Sequence, residues 1–168
     1  LDSREEIPAS TAVWTAGMRA SALAELIPIE RDKMGRVPVD AFLKVKGMED
    51  VFAAGDIARA MADDDHPSVM SCQHARPQGR IAGHNVAADL LGEDLIAYRQ
   101  EDYVTCLDLG PWGAVMTRGW DRQVIHRGPE VKETKRTINC VRIYPPPSND
   151  RAEILEAAAP IIQAPPAQ

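Results

Sequence analysis

The sequence predicts a mixed α+β fold, in which short buried strands and a long helix are followed by an antiparallel sheet with helices. Three observations favour this class: an apolar run ending in Gly-Asp within residues 50–56, helical spacing over residues 76–91, and alternating segments around later glycine turns. A chain of 168 residues, 45% of them apolar, can bury a sizeable core as one domain or two small lobes. We place the boundary near residues 92–98 and expect one part at 1–95 and a second at 96–168.

Composition and charge narrow the classes of partner. The formal net charge of −6 argues against a nucleic-acid-binding surface, which needs a basic stripe. No apolar run approaches the roughly 20 residues of a membrane-spanning helix. The three cysteines, Cys72, Cys106 and Cys140, lie far apart without a Cys-x-x-Cys pair, which indicates reduced thiols in a cytoplasmic compartment. The four histidines lack metal-ligand spacing, so we expect no metal site.

The first half of the chain predicts short strands separated by turns. Residues 1–10 are charged and contain proline, which suits an entry loop, and the apolar run at 11–16 predicts a buried strand. A helical turn follows and ends at Pro28. Residues 29–46 alternate apolar and polar positions around Gly35, which predicts a hairpin.

A long helix is predicted over residues 76–91. Ala82, Val86 and Leu90 recur at helical spacing and define one apolar stripe. Gly92 follows as a residue that readily adopts the left-handed conformation at a helix end. The helix is therefore expected to pack through this stripe and to stop at Gly92.

The last third of the chain predicts a sheet and two shorter helices. Antiparallel strands are expected over residues 103–128, with turns at Gly110 and Gly119. Residues 129–143 begin with proline and predict a helix, although the alternation near their end also permits a strand. Residues 151–159 predict a short amphipathic helix that docks on the core.

The Gly55–Asp56 pair is the strongest candidate for a binding site. Val51–Ala54 predicts a buried strand, and Gly55 lets the backbone approach a ligand closely because it has no Cβ. Ligands of open α/β sheets bind beyond the carboxyl ends of the strands, where Asp56 would project. An ionised carboxylate only accepts hydrogen bonds, so its natural partner is a molecule rich in hydroxyl groups. Asp also commonly caps a turn or a helix, and this structural role is the alternative interpretation.

An ordered series of motifs resembles the second flavin-binding signature of the FAD- and NAD(P)H-dependent disulfide-oxidoreductase superfamily. The series is VWTAG at 13–17, GRVPVD at 35–40, VFAAGD at 51–56 and QHA at 73–75. The resemblance extends over residues 8–145, and its closest branch is that of the type II NADH dehydrogenases and similar NADH:quinone oxidoreductases. It implies that residues 1–95 are the carboxyl-terminal portion of an α/β FAD-binding domain. Residues 96–168 would then be a carboxyl-terminal α+β domain of the interface or dimerisation type.

The resemblance also implies which residues contact FAD. They are Thr15, Ala16, Gly17, Gly55, Asp56, Gln73, His74 and Ala75. In the superfamily, the acid that matches Asp56 holds the ribityl chain of FAD. The helix that starts near His74 faces the pyrimidine side of the flavin ring, where backbone N–H groups and the positive helix end stabilise negative charge. No catalytic residue is assigned, because a lone histidine is more often structural than a proton donor.

The implied activity is that of an FAD-dependent NAD(P)H dehydrogenase, which passes a hydride to FAD and electrons onward to a quinone or another acceptor. The type II branch often carries Ala-Gln-x-Ala-x-Gln at this helix, a pattern linked to quinone access. This chain matches Gln73 and Ala75 of the pattern but has Pro77 in place of the second Gln, so the acceptor stays open. A ferredoxin or rubredoxin reductase shares the same signature. A non-catalytic interaction or dimerisation module is the alternative from another class.

No Gly-x-Gly-x-x-Gly occurs in the sequence, so the loop that binds the pyrophosphate of a dinucleotide is missing. We therefore expect the chain to be the carboxyl-terminal part of a longer enzyme and to be inactive alone. Its first expected partner is the amino-terminal half of the same enzyme. The resemblance also allows a homodimer, and a quinone or peripheral membrane contact at the inner face of the cytoplasmic membrane.

Overall fold

The computed structural model describes residues 6–164 as three helices and five short strands. The helices are α1 (Cys72–Leu91), α2 (Pro129–Thr137) and α3 (Arg151–Ala157); the strands are β1 (Val37–Pro38), β2 (Ala58–Arg59), β3 (Val104–Asp108), β4 (Ala114–Arg118) and β5 (Gln123–Gly128). Single 3₁₀ turns occupy Ala22–Leu26, Gly55–Ile57 and Gly110–Trp112, and a π-helical turn at Ile138–Arg142 continues α2. Within this part of the chain, no helix combines the length and apolarity needed to cross a membrane.

The first half of the described chain packs short extended segments against α1. β1 and β2 form a two-stranded parallel sheet. An antiparallel bridge joins Lys44 to Phe52 beside it. Leu43, Val45 and Ile81 are almost completely buried in the resulting core, and the last of these comes from α1. Burial of each such aliphatic side chain contributes about 1.5–3 kcal/mol, so this cluster holds α1 on the extended segments.

α1 accommodates a proline within its second turn. Because Pro77 has no N–H, the carbonyl of Gln73 four residues earlier loses its helical donor. The side-chain Nε2 of Gln100 donates to that carbonyl at 3.2 Å. The backbone N–H of Gln100 also donates to the carbonyl of Ala62 at 2.7 Å. This bond holds the Gln100 backbone in place and so positions its side-chain amide. α1 ends where the sequence predicts, since Gly92 adopts φ 70°.

β3, β4 and β5 form the antiparallel sheet that the sequence predicts. A register shift after Met116 makes the β4–β5 pairing irregular. α2 packs on the sheet through Val131, which is buried together with Ala114 and Met116. Since α2 and the π-helical turn cover nearly all of residues 129–143, the helical prediction is confirmed and the strand alternative is wrong.

A stacked aromatic cluster joins the sheet to the first half of the chain. The Trp120 ring stacks on His66 and on Tyr103, with ring centroids 4.5 Å apart in both pairs. Its Nε1 donates to the Asp63 carboxylate at 2.8 Å. Trp120 is therefore a packing anchor, whereas the Trp112 side chain is 85% exposed. The boundary proposed near residues 92–98 stays a prediction.

The strand predicted at residues 11–16 is wrong. The segment is coil, and the side chain of Trp14 is 89% exposed. An apolar run forms a strand only where a neighbouring strand satisfies its backbone groups, and no strand within residues 6–164 pairs with it. Of the predicted entry loop, residues 6–10 lack regular structure and residues 1–5 lie outside the described residues.

The hairpin predicted around Gly35 is also wrong. The Gly35 N–H donates to the Asp32 carbonyl at 2.9 Å and closes a tight turn before β1. β1 then pairs in parallel with β2, and the antiparallel pairing joins Val39 to Val45 further on. The segment predicted as a strand at Val51–Ala54 makes a single bridge rather than a continuous ladder. Gly35 correctly predicted the position of the turn. The sequence did not show which strand pairs with the segment that follows the turn.

The faces of α1 and α3 differ from the predicted stripes. α1 starts at Cys72, earlier than predicted, and Leu90 from its apolar stripe is 83% exposed. Its buried face instead carries Asn85, whose Nδ2 donates to the carbonyl of Phe42 at 2.8 Å. α3 buries no residue, and Leu155 is 58% exposed, so the expected docking on the core is wrong. The apolar periodicity did not reveal the buried face of α1, because the polar side chains on that face form hydrogen bonds with neighbouring loops.

Candidate functional site

The Gly55–Asp56 turn is the start of the 3₁₀ turn at Gly55–Ile57. It follows the extended segment at residues 51–54. Gly55 has φ +77°, a left-handed conformation that side chains disfavour. Its N–H donates to Oε1 of Gln78 at 2.7 Å. A Cβ built on Gly55 would lie 3.3 Å from the Cβ of Ala75 in the first turn of α1. The turn is therefore seated against the start of α1, and only glycine suits this position without displacement.

Asp56 lies in this turn with an exposed side chain. None of the hydrogen bonds or ion pairs within residues 6–164 uses its carboxylate. The residue at the cap position of the turn is Ala54, so the capping role considered for Asp56 does not occur here. The carboxylate can thus accept hydrogen bonds from a molecule that lies beside the start of α1.

The amino terminus of α1 presents free backbone donors. The N–H groups of His74 and Ala75 both donate to the carbonyl of Ser71, at 3.1 and 2.9 Å. The N–H groups of Cys72 and Gln73 have no acceptor within the helix, because the first helical hydrogen bonds end on the Ser71 carbonyl. Together with the positive end of the helix dipole, these groups favour a negatively charged partner.

The His74 side chain is buried beside the start of α1 rather than exposed at it. It is 1% exposed, its Nδ1 lies 3.1 Å from the Ser71 hydroxyl, and its ring centroid lies 5.8 Å from that of Tyr103. Burial lowers the pKa of His74 to about 4, so the imidazole is neutral near pH 7. Its Nε2 has no hydrogen-bond partner within the described residues. These features indicate a packing role for the His74 side chain at the start of α1.

Residues Thr15, Ala16 and Gly17 lie in exposed coil. No hydrogen bond joins them to the Gly55–Asp56 turn in the described structure. Gly17 has φ +79°, and a Cβ built on it would meet no atom within 4 Å. The structure thus places Gly55, Asp56, Gln73 and Ala75 in the turn and in the helix start that it packs against. Residues 15–17 are not joined to that turn by a hydrogen bond, and their cofactor contact stays a prediction.

A cavity of about 560 Å³ opens beside the start of α1, a size typical of small-molecule sites. Its walls come from α1, β3, α2 with its π-helical turn, and the segment at 162–164. Apolar side chains from three of these elements line it, among them Val104, Ile138 and Ile162. Gln73 lines the same cavity, so the helix start borders both the Gly55–Asp56 turn and this space.

Four basic side chains of the cavity were missed in the sequence. They are Arg76, Arg80, Lys135 and Arg142. The i, i+4 spacing of Arg76 and Arg80 was the one local signal that they share a helix face. The other two come from a remote element, which no local pattern connects to α1.

Comparisons with known proteins agree on one family. The model of the pyridine nucleotide-disulphide oxidoreductase family matches residues 1–79. An NADH dehydrogenase-like protein of Mycobacterium tuberculosis is 55% identical over 163 residues, which are 97% of this chain and 41% of that protein. The type II NADH:quinone oxidoreductase of Staphylococcus saprophyticus is 32% identical over 110 residues, 65% of this chain and 27% of that protein. The chain therefore spans less than half the length of these curated relatives.

Proposed function

Because the chain belongs to the pyridine nucleotide-disulphide oxidoreductase superfamily, we propose that the natural protein containing it is an FAD-dependent NAD(P)H dehydrogenase. The reaction converts NAD(P)H, a proton and an oxidised acceptor into NAD(P)⁺ and the acceptor reduced by two electrons. FAD supplies the hydride-accepting ring. This chain supplies the groups that hold and polarise that cofactor, and the remaining dinucleotide-binding elements lie elsewhere in the natural protein.

The proposal depends mainly on the packing of the Gly55–Asp56 turn against α1. The Gly55 N–H is held by Gln78, and the backbone approaches Ala75 so closely that a methyl group at residue 55 would crowd it. This packing seats Gly55 against the first turn of α1, and the neighbouring Asp56 carboxylate is exposed and makes no hydrogen bond within residues 6–164. A carboxylate acceptor next to helix N–H donors suits a ligand with a hydroxylated chain joined to a ring that becomes negatively charged. The ribityl chain and reduced ring of FAD meet that description.

In this proposal each group has a separate role. Asp56 accepts hydrogen bonds from the ribityl hydroxyls, and Gln73, His74 and Ala75 form the positive helix end that stabilises negative charge on the ring. Thr15, Ala16 and Gly17 approach the cofactor from the segment that precedes Gly35. The neutral, buried His74 imidazole holds the helix start in place and is not assigned a proton-transfer step.

The cavity beside Gln73 is the proposed site of the electron acceptor. It is lined by apolar side chains and opens at the same helix end that borders the Asp56 turn. The staphylococcal relatives are named as quinone oxidoreductases, and a quinone is therefore the first acceptor class to test. A homodimer and a peripheral contact with the inner face of the membrane complete the proposal for the natural protein.

Purification of the natural protein gives a direct test. We expect flavin absorbance bands, release of FAD on denaturation, and oxidation of NADH or NADPH with menadione or ferricyanide as acceptor. Ferredoxin and rubredoxin serve as competing acceptors, because the sequence signature is shared with their reductases. A colourless protein that neither retains added FAD nor oxidises either nucleotide with any of these acceptors would contradict the proposal.

A further inference from the structure

The cavity beside α1 has an unusual balance of charge. Four of its lining side chains are cationic, namely Arg76, Arg80, Lys135 and Arg142, in a chain whose net charge is −6. The acidic residue among the lining residues is Asp102, and its carboxylate already lies 3.3 Å from Nη2 of Arg118. The cavity is therefore a local positive region in an otherwise acidic chain.

The four cations lack carboxylate partners in the described structure. No ion pair within residues 6–164 includes any of them. Arg76 donates to the side-chain oxygen of Gln163 at 3.4 Å, and Arg142 donates to the carbonyl of Ala164 at 2.9 Å. Both acceptors are neutral, so these hydrogen bonds orient the two guanidinium groups without neutralising their positive charge.

The cations also act on one another. All four are half-buried, and they come from two facing elements, α1 and the α2 region. Burial, followed by the charges of Arg80 and Arg142, lowers the pKa of Arg76 from its ordinary value. Like charges held together in a partly desolvated space raise the free energy of the empty cavity, and a bound anion would relieve that repulsion.

Apolar side chains complete the walls of the same space. Val104 and Ile138 lie on the sheet and helix walls, and Ile162 comes from the segment that follows α3. Along α1, Gln73 and Arg80 are separated by about 10 Å, given the rise of about 1.5 Å per residue. The cavity thus runs from the helix start, next to the Asp56 turn, to a cationic end one to two helical turns further along.

We propose that this cavity binds an amphipathic small molecule whose ring or chain contacts the apolar walls and whose anionic group, a carboxylate, sulfonate or phosphate, pairs with Arg80 and Arg142. The identification of that molecule as the electron acceptor rests on the proposed function, whereas the preference for an anionic amphiphile does not. The acceptor class is then a negatively charged quinone or a comparable anionic aromatic compound, in place of a neutral lipid quinone.

A matched pair of probes separates charge from apolarity. Anilinonaphthalene sulfonate carries the anion, and phenylnaphthylamine is its uncharged counterpart. Binding of each to the natural protein with its flavin is measured by equilibrium dialysis. We expect the sulfonate to bind more tightly, and its affinity to fall as sodium chloride screens the cations, while the affinity of the neutral probe does not fall.

Variants then locate the anion. The double variant Arg80→Gln, Arg142→Gln should weaken binding of the sulfonate about tenfold and change that of the neutral probe less than about twofold. Arg136→Gln, an exposed position on α2 outside the cavity lining, is the matched control and should change neither. Arg80→Lys, which keeps the charge, should largely retain sulfonate binding and serves if the double variant does not fold.

Equal losses of affinity for the two probes in the double variant would overturn the proposal. So would sulfonate binding that stays unchanged in the double variant. If the double variant does not fold, a tenfold loss of sulfonate binding in Arg80→Lys, which keeps the charge, would overturn it. Dialysis requires neither NADH nor turnover, so its result is independent of the proposed enzyme activity. A second comparison uses naphthoquinone sulfonate and naphthoquinone as acceptors for NADH oxidation. Preference for the sulfonate that the double variant loses supports the acceptor assignment. Retained probe binding without any NADH oxidation would contradict the enzyme proposal alone.

Discussion

Oε1 of Gln78, a buried residue in the second turn of α1, accepts a hydrogen bond from the backbone N–H of Gly55 at 2.7 Å. The other end of the same amide donates to the Ser68 hydroxyl at 3.0 Å. A single side chain therefore connects the turn that carries Asp56 to the helix whose start borders it. This connection is the structural basis on which the proposed flavin site depends.

Replacing Gln78 by methionine should destabilise the natural protein by about 1–3 kcal/mol. Methionine has a similar length but leaves the partly buried Gly55 N–H without an acceptor, and an unsatisfied donor shielded from water costs free energy on this scale. Urea denaturation followed by circular dichroism measures the change. Gln123→Met is the control, since Gln123 is exposed. Equal stability of the two variants would show that the Gln78 connection is dispensable.

Gly55→Ala and Gly79→Ala should change stability in opposite directions. Alanine at residue 55 must adopt φ +77° and approach Ala75, at a cost of about 1–2 kcal/mol. Gly79 lies on the exposed side of α1, where a Cβ would meet no atom within 4 Å, so alanine there should stabilise by about 0.5–1 kcal/mol. Thermal unfolding of both variants checks the pair. A gain at residue 55 would mean that the turn does not hold the described conformation.

A double-mutant cycle tests how the proline is accommodated in α1. Gln100→Leu removes the donor to the carbonyl of Gln73 and should cost about 1–3 kcal/mol. In a Pro77→Ala background the restored helical N–H can donate to that carbonyl, so the same change should cost less. Urea denaturation of the four proteins gives the coupling. Strict additivity would show that Gln100 acts elsewhere.

Stability should fall with decreasing pH in a window set by His74. The unfolded chain protonates this histidine near pH 6.5, while burial lowers its folded pKa to about 4. Because the folded state resists protonation, stability is full above about pH 6.5 and falls as pH decreases toward about 4, by up to about 3 kcal/mol. The urea midpoint should depend less on pH across this range in His74→Phe than in the wild type. In the exposed control His126→Gln, this dependence should equal that of the wild type. An unaltered slope in His74→Phe would exclude His74 as the source.

Patterns that depend on local backbone chemistry were predictable from the sequence. Gly92 ended α1 because a left-handed residue stops a helix, and Pro129 began α2. The three strands of the second sheet follow alternation bounded by glycine turns. The sequence also predicted a close backbone approach at Gly55, and the structure shows such an approach to Ala75, whereas the approach to a ligand stays a prediction.

Features that depend on distant partners were not predictable. The segment at 11–16 has the composition of a strand, yet its state is decided by whether another strand pairs with it. The buried face of α1 was misassigned because Gln78 and Asn85 look like surface residues until the groups that they bond are known. The cationic cavity combines α1 with Arg142, more than sixty residues after its start, and such convergence is a property of the tertiary fold.

The central claim is tested most directly by the flavin content of Asp56→Ala in the natural protein, compared with Asp50→Ala. Both aspartates are exposed, so neither change should alter stability by more than about 0.5 kcal/mol. We expect the ratio of flavin to protein absorbance to fall severalfold in Asp56→Ala and to stay at the wild-type value in Asp50→Ala. Wild-type flavin content in Asp56→Ala, or a wild-type protein that binds no flavin, would contradict the account.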